Sequence, residues 1–552
     1  MMLPCTTAVR GGEVPGSMTT NHRLTRRALL KVAGPVAAAL ATPRRARAAA
    51  PRKPNIILVL TDDQGWTDTS VPMMRGRPDS RSDFYRTPAL ERMAKEGMVF
   101  SSAYAPAPTC TPTRGSIQFG KTPARLRQTV VHDVLAASRG IDCHNEVAIP
   151  QMMKAADPRY VTGHFGKWGF PPRRPDHAGY DVTDGHTNNG DGDWLSKKDG
   201  RGLPADDPKR ICSLTKRATA FMAECVRARR PFFMQVSHYA LHVQHQALAE
   251  TVAKYRTLPR GTKCTAKDYA DPPPPQNAWM LLYAAMIENL DTGLGTLLET
   301  IDDLGIADST YVIFTSDNGS GFRGNAPLNG GKASLWEGGI RVPTVVRGPG
   351  VKAGCQCDVP IAGWDFFATI SDLIGNARPL PGGIDGGSLR PLFEKGNAGK
   401  VERPAEGLVF HFPWYGNLPM SAIRLGDYKL VKNLNTGETR LFNLAKDIGE
   451  STDLAKAMPE KAEALHKRLT DYLKAVDAET IEDMRAARKA ELLAYRTRTT
   501  KEMEDLRQRI AGATDDNERR RLAETLAERR KQLTAHEEAL QQVEKAERLT
   551  AW

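Results

Sequence analysis

The sequence predicts an α/β fold, a large sheet flanked by helices, with a smaller antiparallel C-terminal subdomain and a helical tail. Three observations predict it. Two continuous apolar runs, Asn55-Ile-Ile-Leu-Val-Leu and Tyr311-Val-Ile-Phe, each lead into oxygen-bearing side chains, Asp62 and Asp63 after the first, Asp317 and Asn318 after the second. Runs without polar alternation are buried on both faces, as strands of a parallel sheet are, and acidic groups at the carboxyl ends of such strands face the ligand crevice. Strand-like runs alternate with helical patterns up to about residue 400, and beyond about 476 the composition turns to charged, helix-favouring residues. With 552 residues the chain exceeds what one hydrophobic core ordinarily serves.

Residues 1–50 read as a cleavable signal. Thr25-Arg26-Arg27-Ala28-Leu29-Leu30-Lys31 precedes a ten-residue weakly apolar run, Val32 to Ala41, and then Ala46-Arg47-Ala48. Basic, apolar and small-x-small segments in that order mark export, and the paired arginines resemble the twin-arginine type. The run is too short for a membrane span, which needs about 20 apolar residues. The segment carries eight Lys or Arg against one Glu, so 7 of the +13 formal charge leaves with it and +6 remains. That surplus fits polyanionic substrates, and no recognition motif points to nucleic acid. Export would place the protein in the periplasm or outside the cell, where Cys143, Cys212, Cys225, Cys264, Cys355 and Cys357 could form disulfides; Cys355 and Cys357 are too close to be expected to pair with each other.

The largest domain is expected over 52–400. One helix starts at Thr87 with Pro88 in its first turn, buries Leu90, Met93 and Ala94 and stops at Gly97; another, near 281–302, carries Met286, Leu290, Leu294, Leu297 and Ile301 at helical spacing. Over 401–475, Ser421-Ala-Ile-Arg-Leu-Gly-Asp-Tyr-Lys-Leu-Val and Arg440-Leu-Phe-Asn-Leu read as strands, with a helix after Pro459. Over 476–552, helices at 482–511 and 518–549 would form an αα-hairpin around Gly512–Asn517, each with one narrow apolar stripe: Met503, Leu506, Ile510, then Leu522, Leu526, Leu533, Leu540. Such a hairpin is either an appendage packed on its own protein, the favoured reading, or an arm for oligomerisation.

The chemistry sits in short segments. Asp62, Asp63, Asp317 and Asn318 offer only hard oxygen donors, with no histidine or thiolate in the set, which favours Ca2+, with Mg2+ as the other candidate. An Asp-Asp pair after a strand alone would read as a turn or helix cap. A lone cysteine is ordinarily a small core residue, and lysines are ordinarily solvated. Yet Cys110-Thr111-Pro112-Thr113-Arg114, Gly166-Lys167-Trp168, the run Pro231 to Ser237 leading to His238 and His242, and Gly330-Gly331-Lys332 through Trp336-Glu337-Gly338-Gly339-Ile340-Arg341-Val342-Pro343 occur together.

In order and spacing these segments resemble the type I sulfatases of the alkaline phosphatase superfamily, from about Pro54 to about Leu473. The resemblance implies an alkaline-phosphatase-like mixed sheet and a sulfatase that converts a sulfate monoester to alcohol and inorganic sulfate. It implies that a formylglycine-generating enzyme oxidises Cys110 to Cα-formylglycine, whose hydrate offers one hydroxyl to attack sulfur and a second to expel sulfate. Arg114 would hold the motif, Lys167 and Lys332 would contact the sulfate, and His242 would serve the ester oxygen, His238 being a packing histidine. The substrate would be a sulfated small molecule or a sulfated glycan, read by loops at 171–200, 243–275 and 411–420, where His411, Trp414 and Tyr415 either line a cleft or pack the small subdomain. Phosphoester or phosphonate monoester hydrolysis and catalytically silent binding are the alternatives. One departure stands out: members of the family commonly read G-K-W-H, and this chain has Gly169 in place of the histidine. Strand alternation puts His164 on the face opposite Lys167, leaving His177 and His186 as candidate replacements.

Overall fold

Asn55-Ile-Ile-Leu-Val-Leu-Thr forms the first strand of a computed structural model that describes residues 53–131, 143–170, 173–192, 206–413 and 418–550. The expected signal, Trp414 and Tyr415 lie outside the described residues. In chain order the strands up to residue 362 are β1 (Asn55–Thr61), β2 (Met98–Phe100), β3 (Ala103–Tyr104), β4 (Val161–Gly166), β5 (Val182–Thr183), β6 (Phe232–Ser237), β7 (Thr310–Ser316), β8 (Val345–Arg347), β9 (Cys355–Cys357) and β10 (Ile361–Ala362). Eight of them make one sheet in the order β5-β4-β6-β1-β7-β8-β2-β9, and β3 pairs with β10 separately. The pairs from β5 to β7 are parallel, whereas β8 runs antiparallel to both β7 and β2, so the sheet is mixed.

The unbroken apolar run of β1 is explained by helices on both faces. Ile57 and Val59 pack with the helices Ile211–Arg227 and Met280–Asp303, while Ile56, Leu58 and Leu60 pack on the opposite face with Cys110–Phe119 and Asp365–Leu373. Alternate side chains of a strand point to opposite faces, and each fully buried aliphatic side chain contributes about 1.5–3 kcal/mol. The helix Met280–Asp303 buries Met286, Leu290, Leu294, Leu297 and Ile301 as its spacing predicts. The helix Pro88–Glu96 begins after Thr87, but the Thr87 hydroxyl does not cap it. Asp291 does so from the long helix, accepting the Ala89 and Leu90 N–H groups at 2.8 and 2.9 Å.

Four antiparallel strands follow, β11 (Leu408–Phe412), β12 (Met420–Leu425), β13 (Tyr428–Asn433) and β14 (Thr439–Asn443), paired in sequence order. Period-two alternation again divides the side chains. Phe410, Ala422, Val431 and Phe442 face Tyr104 and Trp364, while Val409, Ile423, Leu430 and Leu441 face the helix Pro459–Ala475 through Ala462, Leu465 and Leu469. The tail helices are Ile481–Gly512 and Asp516–Thr550. Thr480 accepts from Asp483 N–H at 3.1 Å while its own N–H donates to the Asp483 carboxylate at 2.8 Å, a reciprocal cap. Met503 and Leu506 pack against Leu522 and Leu526, so the apolar stripes meet one another, and at the base Met484 and Ala487 reach Val130. No described helix is long and apolar enough to cross a membrane. Cys225, Cys264, Cys355 and Cys357 are free thiols.

For the site, the decisive feature is register. Leu60 pairs with Ser237, Thr61 with Ser316 and Gly166 with Ser237 across parallel strands. The residues that follow, Asp62, Lys167, His238 and Asp317, therefore leave the sheet side by side along one edge.

Candidate active site

Cys110 opens the helix Cys110–Phe119, in a first turn whose backbone N–H groups have no intrahelical partner, and it is 5% exposed. An anion is favoured at such a helix end. One turn further on, Arg114 is buried across the sheet edge. Its Nε and Nη2 donate to Asp317 Oδ2 at 3.0 and 2.7 Å, and its Nη1 donates to the Lys167 carbonyl at 2.6 Å. Lys167 Nζ donates to Asp62 Oδ2 at 2.5 Å. Lys332, from the loop after β7, donates to Asp63 Oδ2 at 2.7 Å. The structure thus brings together Cys110, Arg114, Lys167, Lys332, Asp62, Asp63, Asp317 and Asn318 from five separate segments. His242 joins them, with Nε2 4.0 Å from Asp63 Oδ2.

Burial would raise the Asp62 carboxyl, but Lys167, with His242, Arg114 and Lys332, outweighs it and holds Asp62 well below the usual range. Asp317 goes the other way. Burial, with the charge of Asp62 beside it, pushes it up to about 6 despite its bonds to Arg114. Lys167 is buried and Lys332 partly so, which alone would lower them, yet Asp62 and Asp63 respectively lift them above the ordinary lysine value. Both lysines stay charged at neutral pH.

Two observations test whether these residues fit a cation. Ligand oxygens of Asp62, Asp63 and Asp317 lie within 4.8 Å of one another. Asp62 Oδ1 and Asn318 Oδ1 are buried with no hydrogen-bond partner, although Asn318 Nδ2 donates to Asp63 Oδ1 at 2.7 Å and to the Gly319 carbonyl at 2.9 Å. A buried carboxylate oxygen and a buried amide oxygen without donors are costly unless something else meets them, and a hard cation would. Asp63 itself sits at φ +62°, a left-handed conformation held by its N–H bond to Asp317 Oδ1 at 3.1 Å. The residues present fit a hard divalent cation. It would turn three cations against three carboxylates into a net positive cradle.

Gly169 lies at this site rather than beside it. A Cβ there would stand 2.9 Å from Arg114 Cδ and 3.1 Å from Lys167 Cε, and its φ is +62°. The histidine common in the family would be strained in its backbone and crowded by a side chain fixed at both ends. Neither proposed substitute takes its place. His177 is 61% exposed, with Asp176 4.0 Å away as its nearest acid, and His186 is exposed in the loop after β5. Among the described residues neither forms a hydrogen bond or ion pair with Cys110, Arg114 or Lys167. His164 lies beneath the edge, edge-on to Trp168 and Tyr180, and burial lowers it to about 3. His238 is fully buried and lowered by burial to about 4, a packing histidine as expected.

Of the two readings of His411, its position on β11 bears out packing. It is buried, bonded through Nδ1 to Ser421 Oγ at 2.7 Å and through Nε2 to the Glu479 carbonyl at 2.7 Å, so it ties the small sheet to the start of the tail. Sequence reasoning missed Asn189, whose Nδ2 lies 3.3 Å from His242 Nε2. Its position in a Gly- and Asp-rich loop was the only signal available.

Comparison with known proteins agrees with this geometry. The family model described as Sulfatase matches residues 54–376. A protein of Formosa agariphila named Sulfatase is 28% identical over 495 residues, covering 74% of this chain and 86% of its own. The N-acetylgalactosamine-6-sulfatase of Mus musculus is 29% identical over 418 residues, covering 69% of this chain and 72% of its own. Among solved structures, Ps i-CgsB in complex with k-i-k-neocarrahexaose superposes with a TM-score of 0.64 over 78% of this chain and 94% of its own, at 24% identity, a likeness of fold.

Proposed function

This chain belongs to the sulfatase family, as a type I sulfatase of the alkaline phosphatase superfamily and hence a sulfuric ester hydrolase, and from that premise we propose that it works through a formylglycine made from Cys110 beside a bound Ca2+. Mg2+ is the other candidate. The formylglycine hydrate would supply the hydroxyl that attacks sulfur. A cation held by Asp62, Asp63, Asp317 and Asn318 would neutralise a sulfate oxygen and favour ionisation of that hydroxyl. Lys167 and Lys332, charged and poised at the carboxylates, hold the remaining sulfate oxygens, and fixed charge of this kind lowers the barrier without reorganisation. Arg114 ties Asp317 to the Lys167 backbone and so keeps both in register with its own helix, whose first residue is Cys110. His242 gives a proton to the departing alcohol oxygen.

The observation that carries this reading is the meeting of Cys110, at a helix N-terminus, with three cations and two partnerless buried oxygens, Asp62 Oδ1 and Asn318 Oδ1. The substrate is a sulfated small molecule or sulfated glycan; the mouse relative is named for a sulfated amino sugar, and the solved neighbour was captured with neocarrahexaose. Export by the twin-arginine-type signal to the periplasm or beyond, and conversion of Cys110 by a formylglycine-generating enzyme, complete the proposal. The test is the mass of the Cys110 peptide from exported protein. Formylglycine is expected, and an unmodified Cys110 in fully active enzyme overturns the reading. Paired assays with an aryl sulfate and the phosphate of the same phenol should favour the sulfate.

A further inference from the structure

The chain between the helices Ala249–Thr257 and Met280–Asp303 is tied to three segments of the site. Lys263 Nζ donates to Thr67 Oγ1 at 3.2 Å, and Thr67 is four residues past Asp63, a reach of at most about 14 Å along the chain. Asn277 Oδ1 accepts from the N–H of His245, three residues past His242, at 3.1 Å. Asp268 is clasped by both Nη atoms of Arg323, each at 2.7 Å, in the same loop as Gly321, where a Cβ would stand 3.6 Å from Lys332 Cβ. Phe322 closes the corner, stacked on Tyr283 at 4.3 Å and edge-on to His245 at 5.1 Å. The connection is therefore a wall of the site on the side of His242.

Its charge is uneven. Four cations, Arg256, Arg260, Lys263 and Lys267, fall within twelve residues, and among the described residues none of them pairs with a carboxylate. Neighbouring cations behave otherwise: Lys254 pairs with Glu288 and Arg77 with Asp79. Of the nearby acids, Asp268 is taken by Arg323 and Asp83 accepts from Thr262 N–H at 2.9 Å. The two arginines are also pinned. The Arg256 guanidinium carbon lies 5.3 Å from the centre of the Trp279 ring and that of Arg260 lies 4.8 Å from the centre of the Tyr269 ring. Trp279 is itself fixed, its Nε1 donating to the Asp268 carbonyl at 2.8 Å. A guanidinium laid on an aromatic face keeps its N–H edge for an anion and loses little freedom when one binds. Loose charges would serve solubility equally well; pinned and unpaired ones suit a fixed array of anions.

We propose that Arg256, Arg260, Lys263 and Lys267 form a subsite for further anionic groups of the substrate, so that the sulfate to be cleaved is carried by a polyanionic glycan rather than by an isolated small molecule. The proposal rests on the reading of the adjoining site as a sulfate pocket and chooses between the two substrate classes named above. One sulfate sits between Lys167 and Lys332 while its neighbours on the same chain lie across the wall.

The test is inhibition of nitrophenyl sulfate hydrolysis by dextran sulfate and by inorganic sulfate, at about 0.15 M salt so that distant charges are screened. Dextran sulfate should compete with the substrate. Changing all four residues to Gln should weaken its inhibition about 10-fold, the scale of four exposed charge contacts, while inorganic sulfate inhibition and kcat change less than about 2-fold. Lys267→Glu alone, which disturbs no aromatic contact, should weaken it about 3-fold. Gln at four exposed tail cations, Lys501, Arg507, Arg520 and Arg530, makes the same change in net charge and should have no effect. Dextran sulfate inhibition that is unchanged by the loop variants, that weakens equally with the tail variant or together with inorganic sulfate, or that is not competitive overturns the proposal; in the last case the cations serve another polyanion. A parent enzyme that does not hydrolyse nitrophenyl sulfate overturns the reading beneath it, and the subsite is then judged by the same variants on the binding of fluorescently labelled dextran sulfate.

Discussion

Two buried charge clusters in this molecule look alike and differ in one respect. At the sheet edge, Asp62, Asp63 and Asp317 meet Arg114, Lys167 and Lys332. Where the four-stranded sheet packs on β3, Glu337 and Glu450 meet Arg341, Lys429 and Arg424 around Tyr104. In each, burial and neighbours split the acids: Asp62 and Glu337 are held low by their cations, while burial and the adjacent carboxylate push Asp317 up to about 6 and Glu450 to about 7. Electrostatics alone therefore does not separate site from scaffold. Completeness does. Both Glu337 oxygens are used, Oε1 by Lys429 at 2.9 Å and Oε2 by Arg341 at 2.6 Å and Tyr104 at 2.7 Å. Glu450 Oε2 accepts from Glu337 N–H at 2.7 Å, and its Oε1, without an aligned hydrogen bond, still lies 2.8 Å from Lys429 Nζ. Asp62 Oδ1 and Asn318 Oδ1 have no hydrogen-bond partner, and the ion pairs of Asp62 with Lys167 and Arg114 run to its other oxygen. A closed cluster holds two sheets together, and an open one holds a place for a ligand.

The largest expected effect falls on the open cluster. Cys110→Ala should abolish hydrolysis while metal content and Tm stay unchanged, because one small side chain goes and with it the sole nucleophile. Residual turnover comparable with the parent would refute that. Next is Asp317→Asn, which keeps the shape but removes a charge that pairs with Arg114 and would help hold the proposed cation. Metal content should fall, and kcat by about 10²–10³-fold, the scale of losing a preorganised charge. Stripping the parent enzyme with a chelator should give a similar loss, reversed by Ca2+. Full activity in stripped enzyme would break the comparison at its root.

How far the sequence anticipated this contrast depends on distance along the chain. β1 and β7 were legible because an apolar run ending in acids is local, and the edge position of Asp62, Asp63, Asp317 and Asn318 follows from parallel pairing. The two tail helices were legible from composition and period, and their ends fall within two residues of the expected ones. The closed cluster was not legible, since Glu337 opens the short helix Glu337–Ile340 and Lys429 lies on β13, and only tertiary packing joins them. Beside Trp414 and Tyr415, His411 could be read as lining a cleft or as packing; its partners, Ser421 and Glu479, which decide for packing, come from the neighbouring strand and from the start of the tail. Gly169 was recognised as a missing histidine, but that its backbone turns left-handed is a property of the folded loop.

The closed cluster offers the converse experiment. Lys429→Met leaves Glu337 and Glu450 buried without their shared cation, and removing one partner of a buried pair costs about 3–5 kcal/mol. Tm should fall markedly, while metal content and kcat per folded molecule stay near those of the parent. A selective loss of metal with unchanged Tm would mean that the two clusters are one functional unit, and the distinction drawn above would fail.

The smallest expected effect separates two causes at Gly169. At φ +62° an alanine costs about 1–2 kcal/mol in the backbone, whereas asparagine tolerates that region better. Both add a Cβ 2.9 Å from Arg114 Cδ, and Arg114 cannot easily yield because Asp317 and the Lys167 carbonyl hold its guanidinium. If strain dominates, Gly169→Asn should be more stable than Gly169→Ala, with both near parental kcat. If crowding dominates, the two should lose activity alike, by several-fold, as Arg114 is pushed off Asp317. Crowding is the expected answer, since the clash falls on a side chain pinned inside the open cluster. By the same argument Gly169→His should lose activity rather than gain a proton acceptor. A Gly169→His enzyme with parental Tm and faster turnover would prove that the pocket yields, and that the open cluster is less rigid than its hydrogen bonds imply.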